Sequence, residues 1–330
     1  MKILVIGAAG MIGRKLCERL GREGALAGQR IDGMHLVDIV PPNPPSLADF
    51  PSKCEAFDLA ASYVAPKLIS ERPDVIFLLA SIVSGEAEAD FEKGYAINLD
   101  GTRMFFEAIR RENQTSSGVY RPRVIFTSSI AVFGAPFAET IDDEFFTTPL
   151  TSYGTQKAVC ELLLSDYSRR GFLSGVGLRL PTICVRPGAP NRAASGFFSS
   201  IIREPLAGKE AVLPVPDTVR HWHASPRSAV GFLLHAAALD LAELGGRRNL
   251  TMPGVSATVA DQIEALRAAA GDAAVRLIRR QRDETVERIV AGWPTRFDAS
   301  RARSLGFAAE TNFAQIIQAY REDDYVGPAA

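Results

Sequence analysis

The chain has 330 residues, 37 of them basic and 38 acidic, for a formal net charge of −1. That length is enough for one large or two modest domains with an ample core, and the near-neutral balance gives no electrostatic footprint for nucleic acid or an anionic membrane surface. No stretch approaches the roughly 18 consecutive apolar residues of a bilayer span, and the scattered Cys17, Cys54, Cys160 and Cys184 form no CxxC pair, so a soluble cytoplasmic protein with reduced thiols is expected.

The opening MKILVIG runs apolar-leaning residues straight into glycine and reads as a buried strand rather than a targeting segment. A helical pattern follows over 11–22. Strand MHLVDI at 34–39, a Pro-rich loop at 41–51, strand CEAFDL at 54–59, a helix at 61–71 and strand DVIFLLAS at 74–81 come next. A long helix around 88–112, a polar loop at 113–121, strand RVIFTSS at 123–129, a helix over 152–170 and strand GVGLRLP at 175–181 continue the rhythm. Short apolar strands alternating with amphipathic helices predict an α/β fold, a Rossmann-type and mostly parallel sheet with helices on both faces. Beyond about 182 the pattern loosens: one short helix, a brief strand AVLPVP at 211–216, helices near 226–243, 256–270, 283–291 and 311–322, and a strand at 275–280. We expect a dinucleotide-binding domain over 1–180 and a smaller, partly interwoven substrate-binding region over 181–330. Segments near 220–250 and 296–298 are expected to return to the first domain.

Gly7, Gly10 and Gly13 follow the first strand as GAAGMIG, with Met11 and Ile12 opening the helix. A strand that turns sharply into a helix must let the backbone approach a pyrophosphate, and glycine removes the side chains in the way. The helix N-terminus then supplies free N–H groups and a favourable field. Asp38 closes the next strand, where a carboxylate accepts bonds from both adenosine ribose hydroxyls and repels a 2′-phosphate. Ile39, Val40 and Pro41 follow it with no arginine to offset that repulsion, so NAD is expected over NADP; the bland alternative is a loop cap. Asp58 and Leu59 end the third strand along the expected adenine edge, and Ala80 and Ser81 follow the fourth along the dinucleotide path.

Tyr153 and Lys157 stand four apart at the start of a helix, which puts both on one face. An ammonium beside a phenol favours the phenolate, so Tyr153 is expected to take a proton from an alcohol as hydride leaves the carbon. Lys157 can also reach nicotinamide ribose hydroxyls, and the strand-end Ser129 can hold the same substrate oxygen. A carboxylate on a substrate would need an arginine clamp, and hydroxyls would need polar partners. Arg186, before a rigid Pro187–Gly188 turn, and Arg220 are the clamp candidates; Ser81, Ser84, Thr182, Asn191 and Ser195 are the polar ones. Each arginine also reads as an ordinary ion-pair residue. His221 and His223 flank Trp222, but two histidines do not make a metal site, and no metal is expected.

GAAGMIG, Asp38, NLDGT at 98–102, FTSSIAVFG at 126–134 and YGTQK at 153–157 resemble, in order, the motifs of the extended short-chain dehydrogenase/reductases of the NAD-dependent epimerase/dehydratase type. The resemblance implies catalysis by Ser129, Tyr153 and Lys157. It also implies cofactor contacts from Asn98, Pro181, Thr182 and Ile183, and a homodimer through the helices near 88–112 and 152–170. Such enzymes include sugar-nucleotide epimerases, dehydratases and simple dehydrogenases. Phe133 stands where epimerases often carry tyrosine, Ile130 follows Ser129 where dehydratases often carry an acid, and the common RDYIHVDD-like segment becomes RHWHASPR at 220–227. The stretches LRLPTICVRPGAPN, SGFFSSIIREPLAG and HWHASPRSAV instead resemble members that oxidise the C2 hydroxyl of a four-carbon sugar acid. NAD-dependent oxidation of a small aldonate to its 2-oxo acid is therefore expected. A nucleotide-sugar epimerase or dehydratase and a non-catalytic NAD-sensing protein remain the alternatives.

Overall fold

A computed structural model describes residues 1–188, 194–325 and 327. Seven strands form one sheet: β1 (Lys2–Ile6), β2 (Gly33–Asp38), β3 (Ser52–Ala56), β4 (Val75–Leu78), β5 (Arg123–Ser129), β6 (Ser174–Leu180) and β7 (Asn249–Thr251). Their spatial order is β3-β2-β1-β4-β5-β6-β7, and every neighbouring pair is parallel. The order reverses between β1 and β4, which opens a crevice at the carboxyl ends of those strands. In register, Ile6 pairs with both Val37 and Leu78, and Ser129 pairs with Leu180. Gly7, Asp38, Ala80, Ser129 and Pro181 therefore all lie along one edge of the sheet.

The apolar runs are continuous because both faces of the sheet are covered. Ile3 and Val5 point into a core shared with Leu16 and Leu20 of the helix Met11–Glu23 and with Phe232 and Leu233 of the helix Pro226–Ala238. Their neighbours Leu4 and Ile6 point the other way, towards Leu68, Phe105, Phe106, Cys160 and Leu164 on helices Val64–Ile69, Thr102–Thr115 and Ser152–Arg169.

Two elements differ from expectation in the first half. The third strand ends at Ala56, so Asp58 and Leu59 fall in a turn whose Asp58 Oδ1 accepts the Ala60 amide at 2.9 Å. The long helix expected around 88–112 is four pieces: Ser84–Ala89, Phe91–Gly94, a π-helical stretch Tyr95–Gly101, and Thr102–Thr115. Asp90, at φ −129° and ψ 88°, breaks the first piece and caps the second by accepting the Lys93 amide at 3.0 Å. The widened π turn falls where buried Asn98 reaches across to Gln156, a contact that local periodicity does not encode.

The later chain builds a second core around Phe198, Ile201, Leu213, Val259, Ile263, Phe313 and Ile317. Above it lie a three-stranded mixed sheet of Thr182–Ile183, Arg220–Ala224 and Val255–Thr258, and a parallel pair of Ala211–Leu213 with Ile278–Arg280. The helix expected from 256 starts at Val259 instead, because Thr258 and Asp261 form a capping box that ends the strand before it. The helix expected over 226–243 stops at Ala238, and Asp240 caps a separate turn, Leu241–Leu244. β7 extends the large sheet beside β6, and Phe297 bridges Ile141.

Candidate active site

The glycine loop fits a dinucleotide for steric reasons. Gly7 has φ +94°, and a Cβ on it would lie 2.6 Å from the Ala80 amide nitrogen. A Cβ on Gly13 would lie 2.0 Å from the Gly7 carbonyl oxygen, so helix and loop can touch only with glycine there. Gly10 caps the helix with no side chain bonded to its first turn, which leaves the amides at Met11 and Ile12 without a side-chain acceptor. Asp38 is anchored by the Ala9 amide on Oδ2 at 2.9 Å and the Ile39 amide on Oδ1 at 2.7 Å. Both partners are backbone donors, so each oxygen keeps a lone pair for a ribose hydroxyl. Replacing Asp38 with glycine is expected to weaken NAD+ about 10-fold or more, as losing hydrogen bonds to a charged group does, and to narrow the preference over NADP+. Titrating both dinucleotides against both proteins checks this.

Other residues expected on the cofactor path divide into two groups. Ala80 abuts Gly7, with its amide donating to the Ile6 carbonyl. Leu59 has its side chain in the core on the helix 102–115 side of the sheet. Asn98 is buried and fully engaged inside the protein: its Oδ1 accepts Ser81 Oγ at 2.8 Å and the Ile82 amide at 2.9 Å, and its Nδ2 donates to Gln156 Oε1 at 2.7 Å. Asn98 thus holds the Ser81–Ile82 loop in place from behind.

Tyr153 is the second residue of the helix Ser152–Arg169, whose N-cap Thr151 accepts the Gly154 amide at 3.0 Å. Gly154 lies flush on the turn after β5, where a Cβ would come 2.2 Å from the Ala131 carbonyl. That close approach brings the phenol towards Ser129, and the Ser129 and Ser81 hydroxyls both favour its charged form. Burial raises the Tyr153 pKa; the Arg186 guanidinium and the two hydroxyls pull it back down. Arg186 is therefore a cation that favours the phenolate and that the sequence did not link to it.

Lys157 is buried, donates from Nζ to the Thr127 carbonyl at 2.8 Å, and sits 5.6 Å from the centre of the Tyr153 ring. Burial draws its pKa down from 10.5 to about 8, against weaker support from Cys160 and Glu161. The unfolded chain thus binds more protons than the folded one between those values, and folding stability rises with pH across that window. Below pH 8 the buried ammonium is a full cost. Lys157→Met is accordingly expected to lower activity yet raise the melting temperature at pH 7, with the advantage fading as pH rises towards 10.5. Melting curves across that range check the sign.

Arg186 is held by its own surroundings: Nε donates to the Ile183 carbonyl at 2.9 Å, Nη2 to Ser195 Oγ at 3.1 Å, and its carbonyl accepts Arg203 Nη1 at 2.6 Å. Ser195 therefore meets Arg186 directly. Arg220 stands apart, donating to the Ser256 carbonyl at 3.1 Å and lying 3.9 Å from Asp261. Ser84 opens the helix Ser84–Ala89 and is half-buried, and Asn191 lies outside the described residues. Pro181 is buried at the end of β6, and Thr182 Oγ1 lies 2.7 Å from His221 Nε2. Burial holds His221 down at about 4 and His223 well below its usual value, so both rings are neutral at pH 7. Among the described residues no cluster of His, Cys, Asp and Glu is placed to hold a metal.

One network behind the site had no sequence signal. Glu161 takes Arg179 through two guanidinium nitrogens, at 3.0 and 2.8 Å, and Ser128 Oγ as well. Asp143 stands 3.7 Å from the same arginine and accepts the Thr251 amide at 2.8 Å. This buried ion pair ties β5, β6 and β7 together one residue from Ser129, and its members and partners lie on five separate segments.

A parallel sheet in this strand order, with a glycine cradle where the order reverses, places the chain among the dinucleotide-binding Rossmann proteins. Residues 3–224 match the NAD dependent epimerase/dehydratase family, and the chain belongs to that family. It is 41% identical over 324 residues to a D-erythronate dehydrogenase of Haemophilus influenzae, covering 98% of this chain and 100% of that one. With a D-erythronate dehydrogenase of Cupriavidus necator the identity is 44% over 327 residues, covering 98% of each chain. A solved structure described as the nucleoside-diphosphate-sugar epimerase from Agrobacterium tumefaciens is 62% identical, with a TM-score of 0.95 over 98% of this chain and 94% of that one. No helix among the described residues is long and apolar enough to cross a membrane.

Proposed function

We propose that this chain is an NAD-dependent sugar-acid dehydrogenase that oxidises the C2 hydroxyl of D-erythronate, or of a related small aldonate, to the 2-oxo acid. The observation that carries the reading is that the buried Arg186 guanidinium is near enough to the Tyr153 phenol to favour its charged form. In a 2-hydroxy acid the carboxylate carbon is bonded to the carbon that reacts. A clamp for that carboxylate must therefore stand next to the group that takes the hydroxyl proton. Arg186 is the cation whose charge reaches that phenol, and Ser195 on its Nη2 steadies the guanidinium. Two relatives named for D-erythronate, matched over nearly their whole length, support the same substrate.

In this mechanism Gly7, Gly10, Gly13 and the amides of Met11 and Ile12 would hold the pyrophosphate, Asp38 the adenosine ribose, and Lys157 the nicotinamide ribose. NAD supplies the hydride acceptor when bound. Ser129 and Tyr153 hold the C2 oxygen between them, and Arg186 takes the carboxylate. Tyr153, as phenolate, accepts the hydroxyl proton while the hydride leaves C2. Oxidation therefore speeds up as pH rises through the Tyr153 transition. A homodimer through the helices near 88–112 and 152–170 is in keeping with the exposed Phe91 and Leu162 on those segments.

The epimerase description attached to the 62% identical structure favours a second reading, in which the hydride returns to a sugar nucleotide. Phe133, Ile130 and the segment 220–227 lack the hydroxyl and acids on which that chemistry commonly draws. The two readings separate in a screen of NADH formation across four- to six-carbon aldonates and nucleotide sugars. Net NADH from a free aldonate supports the dehydrogenase; turnover of a nucleotide sugar without net NADH overturns it.

A further inference from the structure

We infer that His221 is a positioning residue that fixes the polarity of the Thr182 hydroxyl, so that Thr182 meets the bound reactants only as a hydrogen-bond acceptor. The inference rests on the reading of the cleft as a dehydrogenase site. Its logic is a chain of forced donors. His221 Nδ1 lies 3.2 Å from the Pro294 carbonyl, which has no proton to give, so Nδ1 carries the ring proton. The ring is buried and neutral, so Nε2 is a bare lone pair. Thr182 Oγ1, 2.7 Å away, must then be the donor of that bond. A threonine hydroxyl has one proton, and with it committed to His221 only lone pairs remain.

The ring has little freedom to relax from this arrangement. It stacks on Phe198 at 5.5 Å with 7° between the planes and packs against Trp293 at 4.9 Å. Thr182, by contrast, is half-buried and stands between two elements of the reaction centre. Two residues before it, Leu180 pairs with Ser129; one residue after it, the Ile183 carbonyl holds Arg186 Nε. A subsite that offers only lone pairs selects an N–H or O–H donor. The carboxamide of the nicotinamide ring and a hydroxyl of the sugar acid both carry such a donor, and the experiment separates them.

The first measurement needs no variant: the nitrogen-15 shifts of the His221 ring are expected to report the Nδ1–H tautomer, and the Nε2–H tautomer would overturn the inference. The second compares binding of NAD+ with binding of its 3-acetylpyridine analogue, which has a methyl ketone in place of the carboxamide, alongside KM for D-erythronate. Thr182→Val and His221→Phe are each expected to weaken the donor-bearing reactant about 3- to 10-fold, the scale of one neutral hydrogen bond. Thr182→Ser, which keeps the hydroxyl, should bind the donor-bearing reactant more tightly than Thr182→Val, and the double variant should be no worse than either single. Loss confined to NAD+ and spared in the analogue identifies the carboxamide; a raised KM with both dinucleotides unaffected identifies the acid. Equal losses for both dinucleotides with KM unchanged, unaltered binding and KM in Thr182→Val, or additive losses in the double variant would each overturn the inference alone. Failure of the unaltered protein to bind either dinucleotide would instead overturn the functional reading, and this one with it.

Discussion

Tyr153→Phe is expected to lower kcat for aldonate oxidation by about 10²- to 10⁴-fold, the usual range for a lost acid–base group. The ring stays, so the packing at the head of its helix is kept, and dinucleotide affinity is expected to change by no more than about threefold because only one hydroxyl is removed. Ser129 and Ser81 lose a shared partner, but neither is stranded: Ser81 still donates to Asn98 and Ser129 still accepts the Ala131 amide. Stopped-flow NADH formation with a parallel binding titration separates the two effects. Near-normal turnover would remove Tyr153 from its role as proton acceptor.

Arg186→Ala carries two expected effects because Arg186 has two neighbours of consequence. Against acidic substrates kcat/KM should fall by about 10- to 150-fold, the cost of losing hydrogen bonds to a charged group. Against an uncharged polyol of similar length the fall should be smaller, since no carboxylate is at stake. The second effect is a shift in pH dependence. Arg186 pulls the Tyr153 pKa down, so its removal lets that pKa rise. Less phenolate is then present at any given pH, and the rising limb of the rate profile moves to higher pH. A residue that only filled space would lower the rate and leave the limb where it was. Equal losses for acid and polyol would contradict the clamp, and an unmoved limb would contradict the influence on the phenol.

The parts of this site that were legible in the sequence are those encoded over a few residues. Gly7, Gly10 and Gly13 announce a close approach of backbone, Asp38 ends a strand, and Tyr153 and Lys157 are one helical turn apart. All strands of the large sheet except β7 were legible for a related reason. Burial on both faces leaves an unbroken apolar run, as in Val75–Leu78. What escaped depends on contacts between distant segments. Arg220–Ala224 is a strand because it lies between Thr182–Ile183 and Val255–Thr258, and Asn249–Thr251 because β6 lies beside it. The π turn Tyr95–Gly101 falls where Asn98 meets Gln156. The effect of Arg186 on the phenol joins two segments that no spacing rule links. Likewise, His221 acquires meaning only next to Thr182, and no spacing rule links them.

The most direct test of the account uses D-erythronate carrying deuterium at C2, incubated with the protein and NAD+. The account predicts that the reduced dinucleotide gains the deuterium and accumulates in equal amount with an unlabelled 2-oxo acid. Reduced dinucleotide without the label, or substrate returned with the label intact and no net reduction, would contradict it.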